Sequence, residues 1–410
     1  MLRFLMNNKW IILSILPCLA FANGKNDLSF AGFVSQGISY TSDNQFFDAE
    51  DNTSFNMTTL ALQANYLFND QIRLSGQALY RNWGKIESSR IDFLMADYQF
   101  INQQNYNIGF RLGRIKSDLG VFNSTRDIPS ARPSIFLPQS VYQDTLRDTT
   151  TSYDGLSLYG NQVFDLGRLN WTLAYGRYPV SSDLSESILG KELGGEISTK
   201  NNTQIHSTWE SVAGNWSVSL GYENPQAFAK PLFDINDPIA MEAGDIKFDR
   251  YIFSHQYFSA LWDLTFEFIY QDTEIKGFEL FIPYLPSFIQ QPVFPEITTD
   301  SLVNVGFYAQ WRYFLNEDLT LMLRYGKYFT DIDDKDGSQY QQDTGMPDFS
   351  RYSFDFSTGV KWKLSSRWQI NFEGHFFEGT AAISPTIKLD HSDNDEKYWQ
   401  LWSLQVSYSF

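Results

Sequence analysis

Alternation at period two is the feature that most narrows what this chain can form. In Leu60-Ala61-Leu62-Gln63-Ala64-Asn65-Tyr66-Leu67-Phe68 the even positions are mostly apolar. After Asn69-Asp70, the residues Ile72, Leu74, Gly76, Ala78 and Tyr80 alternate with Arg73, Ser75, Gln77, Leu79 and Arg81. Successive side chains on a strand point to opposite faces, so each run has an apolar and a polar side, and the two read as a hairpin. The pattern returns along the whole chain, ending in the stripe Trp402, Leu404, Val406, Tyr408 and Phe410. It predicts sixteen strands, at 28–41, 58–68, 71–83, 90–101, 106–115, 154–164, 168–178, 202–212, 215–223, 248–260, 263–275, 301–315, 319–330, 351–364, 367–379 and 398–410. The register is weakest at 202–212 and 248–260. An even count lets the first and last strands pair antiparallel, so the sheet can close.

The links alternate in length. Asn69-Asp70, Ala213-Gly214 and Ser365-Ser366 are short, whereas the links at the other end, 42–57, 84–89, 116–153, 179–201, 224–247, 276–300, 331–350 and 380–397, are long with only 84–89 brief. Short turns at one end and long loops at the other are the signature of a transmembrane barrel. Proline avoids strand interiors because it cannot donate to the ladder. Of the 14 prolines, all but Pro17 fall in these long links. The composition supplies 35 Phe, 23 Tyr and 11 Trp, more rings than one modest core uses. A bilayer calls for such an outward band, with a polar lumen behind it. Arg73, Arg81, Arg111, Arg324, Lys361, Glu267 and Glu373 stand on the polar side. A sandwich or propeller would also alternate, but neither explains so many charges opposite a greasy face. The fold class expected is all-β: a transmembrane antiparallel barrel of about sixteen strands with short periplasmic turns and long extracellular loops.

Residues 1–22 read as a signal peptide: Arg3 and Lys9, the apolar run Trp10 to Leu16, and Ala20-Phe21-Ala22 as cleavage site. Residues 23–410 then make one barrel domain. The single cysteine, Cys18, lies in the leader, which excludes disulfides and thiolate chemistry from the rest. Loss of Arg3 and Lys9 takes the 31 basic residues to 29 against 48 acidic ones, a surface unsuited to nucleic acid. No cofactor or metal site is expected. The acidic run Asp331 to Gly337 lacks the spacing and closing Glu of a calcium loop. The four histidines are scattered, and His206-Ser207 point to opposite faces of a strand, so no enzyme is expected.

The third long link, Lys116 to Tyr153, stands apart. Its four basic residues (Lys116, Arg126, Arg132, Arg147) balance four acidic ones (Asp118, Asp127, Asp144, Asp148) in a strongly acidic chain, and Pro129, Pro133 and Pro138 stiffen it. Ile135, Phe136 and Leu137 offer an apolar patch to an inner wall. A structureless stretch this long is usually functional, disordered or a sign of misassigned elements. Folded into the barrel mouth, it would narrow a water-filled pore. Lys116, Arg126, Asp127 and Arg132 would then join the wall charges as lining. The same arginines have a plainer use, pairing with neighbouring aspartates to hold the loop, and both roles stay open.

The strand count, leader and terminal Phe410 together resemble the sixteen-stranded porins of Gram-negative outer membranes. The segment Arg126-Asp127-Ile128-Pro129-Ser130-Ala131-Arg132-Pro133-Ser134-Ile135-Phe136-Leu137-Pro138 resembles the corresponding loop of proteins related to the phosphate-selective porins. That resemblance implies an outer-membrane location, an inward-folded third loop and passive diffusion of small hydrophilic solutes. It also implies lipid and lipopolysaccharide contacts and recognition of the last strand by the barrel-assembly machinery; a homotrimer is one option, and the oligomeric state stays open because a lipid band and a trimer interface are both apolar. The alternatives are an anion- or phosphate-selective channel, and a plugged barrel acting as adhesin or receptor.

Overall fold

Each alternating run forms a strand whose apolar residues face outward and whose polar residues face the lumen. The computed structural model describes residues 27–46, 53–84, 86–144, 147–180, 195–231, 240–241, 243–277, 280–281, 300–383 and 395–410. The expected signal peptide lies outside them, as do Asp48, Glu50 and Asp51 of the 42–57 link. Sixteen strands build the barrel: β1 (Asp27–Thr41), β2 (Thr53–Leu67), β3 (Ile72–Trp83), β4 (Ile86–Asn102), β5 (Tyr106–Lys116), β6 (Ser152–Phe164), β7 (Gly167–Arg177), β8 (Gly195–Thr199 and Asn201–Ser211), β9 (Trp216–Glu223 and Gln226–Pro231), β10 (Gly244–Phe258), β11 (Trp262–Gly277), β12 (Asp300–Phe314), β13 (Leu319–Phe329), β14 (Tyr352–Lys363), β15 (Trp368–Glu378) and β16 (Tyr398–Ser409). Every neighbouring pair is antiparallel. The ring closes where β1 meets β16, from Phe33 opposite Ser409 to Thr41 opposite Leu401. Phe410 extends this seam by exchanging backbone hydrogen bonds with Gly32.

All sixteen expected strands are present, several reaching farther toward the long-loop end than alternation indicated. β2 begins at Thr53 and β8 at Gly195. One expectation is corrected. Pro225 and Pro231 do not sit in a free link, because β9 resumes at Gln226 after a break at Asn224-Pro225. The Asn224 side chain fills the gap by accepting the Thr203 N–H at 2.8 Å, and the Pro225 carbonyl accepts the Phe248 N–H at 2.9 Å. The ladder thus survives a residue that cannot donate.

The outer face is apolar and exposed: Leu62, Leu94, Leu112, Leu173, Leu220 and Phe372 all project from it. Aromatic pairs mark both edges of this band. Tyr222, Tyr251 and Tyr270 lie side by side across β9, β10 and β11, their tilted rings 5.0 and 6.2 Å apart. Near the short turns, Tyr257 pairs with Trp262 at 5.3 Å and Trp368 with Tyr408 at 4.9 Å. Tyr251 and Tyr257 lie six residues apart, roughly 20 Å along a strand. Beyond Tyr251 the outward residues turn charged, with Lys247 joined to Asp249 at 2.5 Å.

The lumen departs from the simple polar expectation. Toward the long-loop end, Met57, Trp83, Phe377, Trp399 and Leu401 point inward and pack with Ile135 and Phe136 of the third loop in one buried cluster. Part of the aromatic load is therefore spent on cores inside the barrel. In the seventh long loop, Asp334 accepts the N–H groups of Gln339 and Tyr340 at the start of the helix α1 (Ser338–Thr344).

Candidate functional site

The third long loop enters the barrel. It leaves β5 at Ser117 and rejoins β6 at Thr151, the Ser117 N–H donating to the Thr151 carbonyl at 2.9 Å. Tight turns give it a fixed course: the Arg132 N–H donates to Ile128 at 3.1 Å and the Tyr142 N–H to Pro138 at 2.8 Å. Gly120 takes a left-handed φ of +78°, beside the Tyr142 ring, where a side chain would be strained and crowded.

Its charges are spent on one another and on the nearest wall. Asp127 pairs with Arg147 and, at 3.0 Å, with Lys116, which also reaches Asp92 on β4 at 2.6 Å. Asp144 pairs with Arg126 at 3.1 Å and with Arg81 on β3 at 3.5 Å. Burial pushes the Asp127 carboxyl up, but Arg147 and Lys116 outweigh it and hold the group well below the usual carboxylate range. Asp144 is lowered in the same way, against burial, by Arg81 and Arg126. Burial, reinforced by Arg147 and opposed by Asp144, brings Arg126 down to about 10. Arg147 is raised, Asp127 and Asp144 overcoming its desolvation.

The wall holds the rest of the loop by its backbone. On β15 Glu373 accepts the N–H groups of Ile135 and Phe136. Arg324 on β13 donates to the Phe136 carbonyl at 3.0 Å and the Ser134 hydroxyl at 3.1 Å. Lys361 on β14 donates to the carbonyls of Ser130 and Arg132 at 2.9 and 3.0 Å. Arg132 reaches Gln405 on β16 at 2.7 Å. Across the barrel, Glu267 on β11 accepts the Val121 N–H at 2.8 Å and the hydroxyls of Tyr142, Tyr308 and Ser254. Burial, then the Glu267 charge, pushes the Tyr142 phenol well above its ordinary range.

Of the residues expected to line a pore, Arg81, Arg126, Asp127, Arg132, Arg324, Glu267 and Glu373 are at most 5 % exposed. The structure brings them together as the seat of the loop. Lys116 belongs to the same seat. Arg73 does not: it sits near a short turn, half-exposed, 3.6 Å from Asp97. Arg111 borders open space, held by Asp97 at 3.2 Å and Asp118 at 3.7 Å and lying over the Tyr159 ring at 4.3 Å. Tyr142, Tyr308, Asp92 and Ser140 were not foreseen. Only long-range pairing reveals their roles.

Below the loop, toward the short turns, a cavity of about 460 Å³ opens between the Asp118–Ser124 limb and the inner faces of β5 to β10. Amides and hydroxyls dominate its wall, among them Asn161, Asn170, Thr172, Thr208, Ser219 and Gln256.

No family model matches this chain, and no curated protein matches it either. Solved structures do. An anion-selective porin from Comamonas acidovorans superposes with a TM-score of 0.56 at 12% identity, over 94% of this chain and 100% of that one. This is the fold of the outer-membrane porins. The outer membrane channel DcaP of Acinetobacter baumannii gives 0.52 at 13% identity, over 94% and 97%. OmpT of Vibrio cholerae, in a trimer form, gives 0.52 at 11%, over 94% and 100%. At these identities the likeness concerns the porin fold: a closed barrel of sixteen antiparallel strands, found in outer-membrane proteins.

Proposed function

We propose that this protein is an outer-membrane porin-type channel, through which small hydrophilic solutes diffuse passively along a polar lumen narrowed by the loop between Lys116 and Ser152. The observation that carries this reading is the polar cavity of about 460 Å³, which lies inside a membrane-spanning barrel and ends at that loop. A barrel that served only as an anchor would have no need of a hydrated lumen of ligand-pocket size. No enzyme chemistry is part of the proposal. The trimer form of Vibrio cholerae OmpT supports a homotrimer for this chain as well. The apolar band fits the membrane's lipid and lipopolysaccharide, and the Phe410 seam fits recognition by the assembly machinery.

Planar-bilayer recording of refolded protein tests the proposal. Single-channel steps are expected. A folded barrel without steps would mean that the loop is a permanent plug, the alternative of a surface receptor.

A further inference from the structure

We infer that the solute path past the third loop is one-sided: it runs along the inner faces of β5 to β10, and it suits uncharged hydrogen-bonding solutes such as polyols rather than phosphate-like anions. This rests on the channel reading.

On the far side the loop and wall are in backbone contact. A Cβ on Gly306 of β12 would lie 1.9 Å from the Ser140 carbonyl oxygen, and one on Gly326 of β13 would lie 3.1 Å from the Ser140 hydroxyl. Not even a methyl group fits at Gly306. From there round to β16 the seal continues through Arg324, Lys361, Glu373 and Gln405, whose partners on the loop are mostly backbone. Two voids against the loop, of about 10 and 20 Å³, have room for about a water each.

The β5 to β10 side differs in kind. The cavity there reaches the loop directly, and the limb above it is tied to these strands by side chains alone. Asp118 accepts from Thr172 at 3.2 Å, Ser117 accepts from Gln204 at 3.3 Å, and Leu119 rests on Gly221. The Gln204 bond is neutral and contributes about 1 kcal/mol; Asp118 is charged and also meets Arg111, but at 3.7 Å and partly exposed, where water screens the pair. The opposite seal has carboxylate, ammonium and guanidinium groups on loop backbone, and is the stronger of the two. Passage opens where the ties are weakest.

The chemistry of the cavity selects the solute. Amide and hydroxyl groups both donate and accept, so a polyol meets a partner in almost any orientation. The guanidinium that lines the cavity, Arg111, is engaged by Asp97 and Asp118, while Glu210 adds a negative charge. A phosphate-type anion would need unpaired cations here. The Arg81–Arg126–Arg147 cluster, which would attract one if open, is buried with Asp127 and Asp144.

The only cysteine is Cys18 in the expected leader, so single cysteines give a clean test. Thr208→Cys and Asn161→Cys face the cavity; Ser403→Cys and Ser35→Cys face the sealed side. A charged methanethiosulfonate reagent added to the open channel is expected to cut conductance by roughly half or more at the first two and to leave the others unchanged, since charge in a narrow lumen controls conduction. Equal block at Ser403→Cys overturns the one-sided path. Reversal potentials near zero and liposome swelling faster with sorbitol than with inorganic phosphate are expected; strong anion preference overturns the solute class. If the wild type gives no steps, the channel reading fails. Labelling by mass spectrometry at 161 and 208 but not 403 would then show a cavity open from the short-turn end under a closed loop, and the path past the loop would fall with the channel reading.

Discussion

Replacing Gly306 with alanine is the sharpest single perturbation of the loop seat. Among ordinary contacts a Cβ stays 3.4 Å or more from its neighbours, yet here the methyl would sit 1.9 Å from the Ser140 oxygen, so about 1.5 Å of movement is required. The obstacle is backbone on both sides: the oxygen belongs to the loop, and the methyl grows from β12, which is locked between β11 and β13. The loop must therefore give way. Ser140 is two residues from Tyr142, whose hydroxyl donates to Glu267 at 2.5 Å, and a shift of that size breaks such a bond. Overpacking costs about 1–3 kcal/mol. A charge-assisted bond lost with it adds roughly 1.5–3 kcal/mol.

Gly221→Ala supplies the control. Its methyl would meet Leu119 Cδ2 at 2.4 Å, the mobile tip of a side chain that can turn aside. Hydrogen exchange in detergent reads the difference. Gly306→Ala is expected to speed exchange of loop amides around 138–144 by ten-fold or more, since 1.4 kcal/mol is a factor of ten, while strand amides far from β12 keep their protection. Gly221→Ala is expected to have a much smaller effect, confined to 117–121. If Gly306→Ala leaves the loop as protected as in the parent, the backbone contact is not what seats it, and the case for a sealed side falls.

Other outcomes follow from the same contacts. Glu267→Gln keeps the side-chain shape but removes the charge that accepts from Val121, Tyr142, Tyr308 and Ser254, and should lower stability against denaturant in detergent by about 1.5–3 kcal/mol. Lys361→Met frees the carbonyls of Ser130 and Arg132, so faster exchange is expected over 128–136 with little change in the melting temperature of the barrel; unchanged exchange there would show that water replaces the ammonium at no cost. Asp127 and Asp144 are both held below the ordinary carboxylate range, so the stabilisation from their pairs is present above the unfolded pKa near 4 and is lost as pH falls through their lower folded values. Loop protection measured from pH 7 down to about 2 should therefore fall only at the acid end, and Asp127→Asn should flatten that fall.

The barrel was legible because a membrane imposes its rules residue by residue. An outward position must be apolar at every second step, and a turn must interrupt the pattern where the chain leaves the bilayer. Sixteen runs obeyed this, and the strands expected at 202–212 and 248–260 appear as β8 and β10, each extended toward the long loops. The apolar trio Ile135, Phe136 and Leu137 also does what its composition promised, being buried inside the barrel. Alternation could not say what an inward charge touches. Arg324 and Arg73 are equivalent in pattern, yet one is buried against Phe136 and the other lies half-exposed near a turn. That difference depends on contacts 188 residues apart, which no local period encodes. Pro225 misled for a related reason, since its missing donor is offset by Asn224 and by neighbours on β8 and β10.

The kind of polar residue on the inner wall, rather than polarity itself, tells where the loop lies. In a lipid-spanning barrel the apolar side chains face outward, so an object filling the lumen must be held largely by polar groups. Buried charges are tolerated only when paired or fully hydrogen-bonded. A loop backbone meets that demand with donors and acceptors of both kinds. Glu267 and Glu373 take loop N–H groups, and Arg324 and Lys361 take loop carbonyls. The loop's own charges can then cancel among Arg126, Asp127, Asp144 and Arg147, which accounts for its neutrality in an acidic chain. Where the wall instead carries Asn161, Thr172, Thr208 and Gln256, nothing obliges a loop to dock, and neutral groups remain content with water or a solute. Inward charges that grip loop backbone thus trace the seal, and a wall mostly of amides and hydroxyls the path.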